Sequence, residues 1–324
     1  MRFAFLLLPV VATLLNAADS DPSSDLYDQV KRAAVEILLE DHLHGSGWFA
    51  SSDGLVVTAA HVAASAKGLE VVSPTYGRMT AALVAIDRGH DLALLRVPAR
   101  TGGYATLPLA KRTPKAGQPI YIFGAPIYRH GFLLRATMAR NGTSFEYYSD
   151  QKCYVELVHA AGIGPVGVSG GPWVDGDGKV CAVQSGFVTD GQHAVGIVNG
   201  SPLVAIRSLI EHKQSAETPT LGAAVVELWE KSHTFLRKFP PHTEGLVADV
   251  VQAGGPAAKA GLKVGEVLIA SEGQPVRLKE QFLRMVTMRK PGEDVKLTVL
   301  TGEGGTREIT ITLGKLEAVP ENSK

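Results

Sequence analysis

A mostly β chain, an all-β sandwich or barrel followed by a second, smaller block of strands with two helices, is predicted by three observations. Short β-branched and aliphatic runs alternate with Gly, Pro, Asp and Ser clusters along most of the chain. Glycine is abundant, 35 of 324 residues, above the usual ~7 %. A polar stretch ending in proline, residues 212–219, separates two blocks of such runs. The length fits about two domains. Lys+Arg and Asp+Glu are both 32, and so balanced a charge argues against a nucleic-acid or anionic-membrane binder, which needs a basic surplus.

The elements follow in order. Met1-Arg2, the apolar run Phe3–Leu15 and the small residues Ala17-Ala18 read as a secretory signal peptide over residues 1–18. The run is too short to cross a ~30 Å hydrocarbon core, which needs about 20 residues. The expected location is therefore extracytoplasmic, periplasmic or secreted. That compartment permits a Cys153–Cys181 bridge without requiring one, and two buried thiols remain the alternative. In the first block, strands are expected at Ala33–Leu39, Leu55–Thr58, Ala82–Ile86, Leu92–Val97, Pro119–Phe123, Tyr154–His159 and Val180–Gln184. Leu203, Ile206 and Ile210 then place a helix over Pro202–Glu211. The second block has strands at Ala223–Glu227, Gly245–Val251, Glu266–Ser271, Asp294–Leu300 and Arg307–Leu313. It also has helices at Pro256–Ala260 and Leu278–Met288, the second presenting Leu278, Phe282, Met285 and Val286 on one side. The resulting boundaries are a first domain at 26–211, a linker at 212–219, a second domain at 220–316 and a tail at 317–324.

Three segments carry chemistry when taken together: Thr58-Ala59-Ala60-His61-Val62, His90-Asp91-Leu92 and Gly167-Val168-Ser169-Gly170-Gly171-Pro172. A serine nucleophile needs a base to take its proton and a carboxylate to orient that base. His61 suits the base, Asp91 the orienter and Ser169 the nucleophile. The N–H groups of Gly167 and Ser169 suit an oxyanion hole. Singly, each segment is an ordinary turn or core feature. Together and in this order they are specific.

With these residues the chain resembles the HtrA/Deg family of trypsin-like serine proteases with PDZ domains. Gly45-Ser46-Gly47-Trp48, Val57-Thr58-Ala59-Ala60-His61-Val62, Asp91-Leu92-Ala93-Leu94-Leu95, Ser169-Gly170-Gly171-Pro172 and Gly196-Ile197-Val198-Asn199 carry the likeness, which extends from about residue 30 to 315. It implies a mostly β fold, a trypsin-like double β-barrel followed by a PDZ domain (a small β-sandwich with two helices), and an ATP-independent serine endopeptidase without cofactor or metal. Unfolded or misfolded polypeptides would be its substrates, cleaved through an acyl-enzyme. It also implies a specificity pocket built from Ile163, Gln184, Ser185 and Gly186, taking small or medium aliphatic side chains. A PDZ groove for C-terminal peptides would be lined by Leu221, Gly222, Ala223, Leu278 and Phe282. A homotrimer built through the N-terminal part of the protease domain is a further implication, and nucleic acid is not an expected partner. Two departures stand out. Val168 replaces the family's usual Asn before the nucleophile, and the stretch 160–166 is longer than the family pattern. They motivate the alternative, a catalytically silent or ligand-gated peptide-binding or chaperone module on the same fold. The segment Glu40–Gly47 is expected to be a short loop between the first two strands.

Overall fold

The computed structural model describes residues 22–63, 68–191, 193–302 and 304–316; the expected signal peptide and the expected tail lie outside them. Helix α1 (Pro22–Ala33) precedes the first sheet. Asp25 in its first turn and Lys31 and Arg32 in its last complement the helix dipole, and Leu26, Val30 and Ala33 form its buried face. This helix is a correction: sequence reading assigned no element before Ala33.

The first sheet comprises β1 (Ala34–Leu39), β2 (His42–Phe49), β3 (Leu55–Thr58), β4 (Leu69–Ser73), β5 (Gly77–Thr80), β6 (Ala82–Asp87) and β7 (Leu92–Arg96). Its order is β5-β4-β1-β2-β3-β7-β6. Strands β1 and β2 are joined by Glu40 and Asp41 alone, both at positive φ (48° and 67°), the conformation of a two-residue hairpin turn. The expected loop at Glu40–Gly47 is thus mostly strand. The second sheet comprises β8 (Pro119–Gly124), β9 (Phe132–Met138), β10 (Ser144–Tyr148), β11 (Cys153–Ala161), β12 (Pro172–Val174), β13 (Val180–Thr189) and β14 (Ala194–Pro202). Its order is β10-β11-β14-β13-β12-β8-β9, and β11 also pairs with β9, which closes the sheet on itself.

Helix α2 (Leu203–His212) returns across both sheets. Leu26, Val30, Trp48, Leu94, Phe123, Val183, Ile206 and Leu209 form one buried cluster in which the two sheets and both helices meet. Segment 213–218 runs beside β6, held by Ala216 N–H to Ile86 O (3.0 Å) and Ile86 N–H to Ser215 Oγ (3.1 Å). Cys153 and Cys181 are both buried and unbridged.

The C-terminal domain comprises β15 (Pro219–Thr220), β16 (Ala223–Glu227), α3 (His233–Leu236), β17 (Leu246–Val251), α4 (Pro256–Lys259), β18 (Val267–Ser271), β19 (Gln274–Pro275), α5 (Lys279–Thr287), β20 (Asp294–Leu300), β21 (Thr306–Thr312) and β22 (Gly314–Lys315). The main sheet runs β16-β17-β18-β20-β21, so β16 lies at its edge. Phe282, Leu283 and Val286 of α5 pack into its core beside Val225, Leu246, Leu297 and Ile311. Between β16 and β17 the chain makes an excursion that sequence reading left without structure. There Leu228 and Phe239 cover Val247, Val267 and Leu300 on the other face of the sheet.

Candidate active site

The site is built on the buried carboxylate of Asp91. A tight turn leads from β6 into β7, and Asp91 occupies its last position at φ 52°. The residue is 0 % exposed. Its carboxylate accepts from the His61 backbone N–H (3.0 Å), from His61 Nδ1–H (2.8 Å) and from the Ser185 hydroxyl (2.5 Å). A buried carboxylate needs such donors to offset its lost hydration. His61 follows β3 in a turn, and its side chain is 29 % exposed on the cavity side. Burial pushes the imidazole pKa down, but the charge and hydrogen bond of Asp91 outweigh this, and the net direction is up.

Ser169 lies in the turn before β12, and lines with His61 one cavity of about 570 Å³. Tyr148, Val166, Ser185, Gly186, Phe187 and Asn199 also line it. The Ser169 hydroxyl donates to Ser185 O at 3.3 Å. The loop is anchored from beneath by Ser46. Its backbone N–H donates to Ser169 O (2.7 Å), and its hydroxyl donates to Gly167 O (2.8 Å) while accepting from the Ala125 N–H (3.2 Å). Among the described residues, neither the Gly167 N–H nor the Ser169 N–H donates a backbone hydrogen bond.

Two glycines make this anchoring possible. Gly167 adopts φ +94°, and a Cβ there would stand 2.2 Å from Ala125 O. Gly170 adopts φ +83°, and a Cβ would stand 2.2 Å from both Ser46 O and Thr58 Oγ1. Positive φ and such approaches require glycine.

Of the expected pocket residues, Gly186 lines the cavity. Ser185 lines it as well, whereas Ile163 and Gln184 do not. Ile163 is 63 % exposed and absent from the cavity lining: it lies in the segment after β11 and faces solvent. The Gln184 side chain is buried and spends its hydrogen bonds on Trp173 Nε1–H (2.8 Å) and Gly186 O (2.7 Å). Ser185 contributes to the cavity wall, but its hydroxyl is directed at Asp91 rather than at a substrate side chain.

The expected PDZ groove is already occupied. Leu221, Ala223 and Phe282 are buried in one apolar cluster with Phe145, a residue of β10 in the other domain. Arg284 of α5 lies over the Phe145 ring, 5.4 Å from its centre. The hydroxyl of Tyr154, from β11, accepts from the Val225 N–H (2.6 Å) and donates to Val225 O (2.9 Å). It thereby takes the main-chain positions at edge strand β16 that an added peptide strand would use. Gly222 sits at φ +66° against Pro256, and Leu278 stands outside the groove, 38 % exposed, beside Leu228, Trp229 and Gln281. Sequence reading missed Ser46, Phe145, Tyr148 and Tyr154 because their roles depend on partners from distant segments.

A family model for a trypsin-like peptidase domain matches residues 45–183, and one for a PDZ domain matches residues 219–313. The chain is 28 % identical over 276 residues to a probable periplasmic serine endoprotease DegP-like of Ectopseudomonas mendocina (strain ymp), covering 84 % of this chain and 56 % of the relative. A protein of the same description from Halomonas elongata is 30 % identical over 276 residues, covering 83 % of this chain and 56 % of the relative. The chain thus spans about half the length of the curated relatives it matches. Among solved structures it is similar in fold to the HtrA-type protease AlgW with decapeptide, at TM-score 0.63 and 20 % identity, covering 90 % of this chain and 98 % of that one. The serine endoprotease from Yersinia pestis gives TM-score 0.60 and 21 % identity, with coverage of 90 % and 98 %. The chain thus carries a match to a trypsin-like peptidase domain followed by one to a PDZ domain, is similar to the DegP-like serine endoproteases, and has the fold of the HtrA-type proteases.

Proposed function

We propose that this protein is an extracytoplasmic serine endopeptidase that hydrolyses peptide bonds through Ser169, His61 and Asp91. The observation that carries the reading is the buried Asp91 carboxylate on His61 Nδ1 at 2.8 Å, beside a cavity that His61 shares with Ser169. In this reading His61 takes the Ser169 proton as the hydroxyl oxygen attacks the scissile carbonyl. Asp91 stabilises the imidazolium, and the Gly167 and Ser169 N–H groups receive the oxyanion. His61 then returns the proton to the leaving amine, and water, deprotonated by the same imidazole, hydrolyses the acyl-enzyme. Unfolded or misfolded chains are the proposed substrates. The PDZ domain is proposed to receive C-terminal peptides at β16.

Two observations favour a second reading, a ligand-gated or silent peptide-binding module. The Ser169 hydroxyl donates to Ser185 O rather than to His61, and the PDZ edge is occupied by Tyr154. Catalytic hydrogen bonds often tighten only when substrate binds, which keeps the endopeptidase reading ahead. Cleavage of an unfolded model protein, beside Ser169→Ala, tests both. Fragments from the native chain that vanish in the variant support the endopeptidase. Binding without cleavage by either chain, even with C-terminal peptide added, would replace it with the binding module.

A further inference from the structure

We infer that Tyr148 is a positioning residue of the triad, acting through Ser185 on the Asp91 carboxylate. The inference rests on the serine-hydrolase reading and adds a residue to it. Tyr148 closes β10, and its hydroxyl lies 2.8 Å from Ser185 Oγ. Ser185 Oγ lies 2.5 Å from Asp91 Oδ2. The direction of each bond follows from donor counting. Ser185 has one proton, and a carboxylate can only accept, so that proton points to Asp91. The Tyr148 hydroxyl must then donate to Ser185 Oγ. The order of donation is Tyr148 to Ser185 to Asp91, with His61 Nδ1–H donating to the same carboxylate from the other side.

Three features suit this role. Ser185 is buried, so no water competes for its hydroxyl freely. Burial pushes the Tyr148 phenol pKa up, with the Asp91 charge adding in the same direction, so the phenol keeps its proton wherever the enzyme works. Gly186 leaves room for it: a Cβ there would stand 2.8 Å from the Tyr148 oxygen. The ionisable groups acting on this network are Asp91, His61, Glu146 and Asp150. With Tyr148 in place, Ser185 has one orientation that satisfies both neighbours. Without it, the Ser185 hydroxyl is free to turn, and Asp91 loses a fixed donor.

Tyr148 also lines the cavity, so its loss could act on substrate instead. A double-mutant cycle separates the two. The full chain and its Tyr148→Phe, Ser185→Ala and doubly substituted forms would be reacted with a fluorophosphonate probe. The one-dimensional proton spectrum would be recorded for the His61 Nδ1–H resonance. We expect Tyr148→Phe to slow acylation by about 3- to 10-fold, the scale of one hydrogen bond. We expect the resonance to shift or broaden in Tyr148→Phe. The double variant should be no slower than Ser185→Ala alone, and Ser185→Thr, which keeps the hydroxyl, should retain the native resonance. Effects that multiply across the cycle, or a resonance unmoved by Tyr148→Phe, would overturn the inference. A native chain inert to the probe would refute the hydrolase reading, and the resonance would still decide whether Tyr148 positions Asp91.

Discussion

At Asp91, two donors from His61 and one from Ser185 converge on a carboxylate with no exposure to water. Asp91→Asn would present an amide to His61 and favour the wrong imidazole tautomer. A fall in kcat of about 10³–10⁴-fold is expected, from the behaviour of serine hydrolase triads in general. The rate should also follow the neutral form of His61. Because Asp91 holds this imidazole above its ordinary 6.5, activity should rise with pH through a midpoint above that value. A pH profile of kcat/KM checks this, and a midpoint below 6.5 would argue against His61 as the base. At Gly167, an added methyl meets Ala125 O at 2.2 Å in a backbone conformation that disfavours side chains. Gly167→Ala should cost more than about 2 kcal/mol in denaturant unfolding, or move the loop and abolish acylation.

Strands β10 and β11 serve both domains at once. One end of this hairpin carries Tyr148 into the cavity that His61 and Ser169 line, while Phe145 and Tyr154 enter the PDZ domain. An extended peptide and the Tyr154 hydroxyl need the same Val225 N–H and C=O groups, so they exclude one another. A groove open only part of the time binds with an affinity reduced by that fraction. The double substitution Phe145→Ala, Tyr154→Ala should therefore tighten binding of an apolar C-terminal peptide by about tenfold or more. Fluorescence anisotropy of a labelled peptide measures this. Unchanged affinity would mean that peptides bind elsewhere on the domain.

Across the whole molecule, a chain of charges links the turn before Asp91 to helix α5. His90 Nδ1 contacts Asp87 at 2.8 Å, and His90 Nε2 faces Glu156 at 3.6 Å. Glu156 in turn pairs with Arg284 at 3.0 Å. Burial pushes His90 down, but hydrogen bonds and charges of Asp87 and Glu156 outweigh it and hold it up at about 10. Glu156 is held down at about 2, chiefly by His90, against burial and with Thr143 and Arg284 adding. The raised His90 contributes stability in full below 6.5, lost as pH rises towards about 10. The lowered Glu156 contributes in full above 4.5, lost as pH falls towards about 2. Glu156→Gln should therefore lower Tm by about 2–4 °C near pH 6, with the difference shrinking as pH approaches 10. An equal difference at both pH values would assign the Glu156 contribution to Arg284 and Thr143 instead.

What the sequence determined by itself is local. Alternating runs mark strands, and the spacing Leu203, Ile206 and Ile210 marks α2. The segments around His61, Asp91 and Ser169 are legible because each needs its own turn chemistry, such as glycine at 167 and 170, where a side chain cannot fit. What the tertiary structure decided is pairing between distant segments. Tyr148 meets Ser185 across 37 residues and Tyr154 meets Val225 across 71, and no pattern near either tyrosine encodes its partner. The same holds for Ile163, expected in the pocket but exposed to solvent and outside the cavity lining. Periodicity and turn residues report the conformation of a few neighbours in the chain. Which hydroxyl braces a carboxylate, and which groove is already filled, depends on how the closed sheets bring remote strands together.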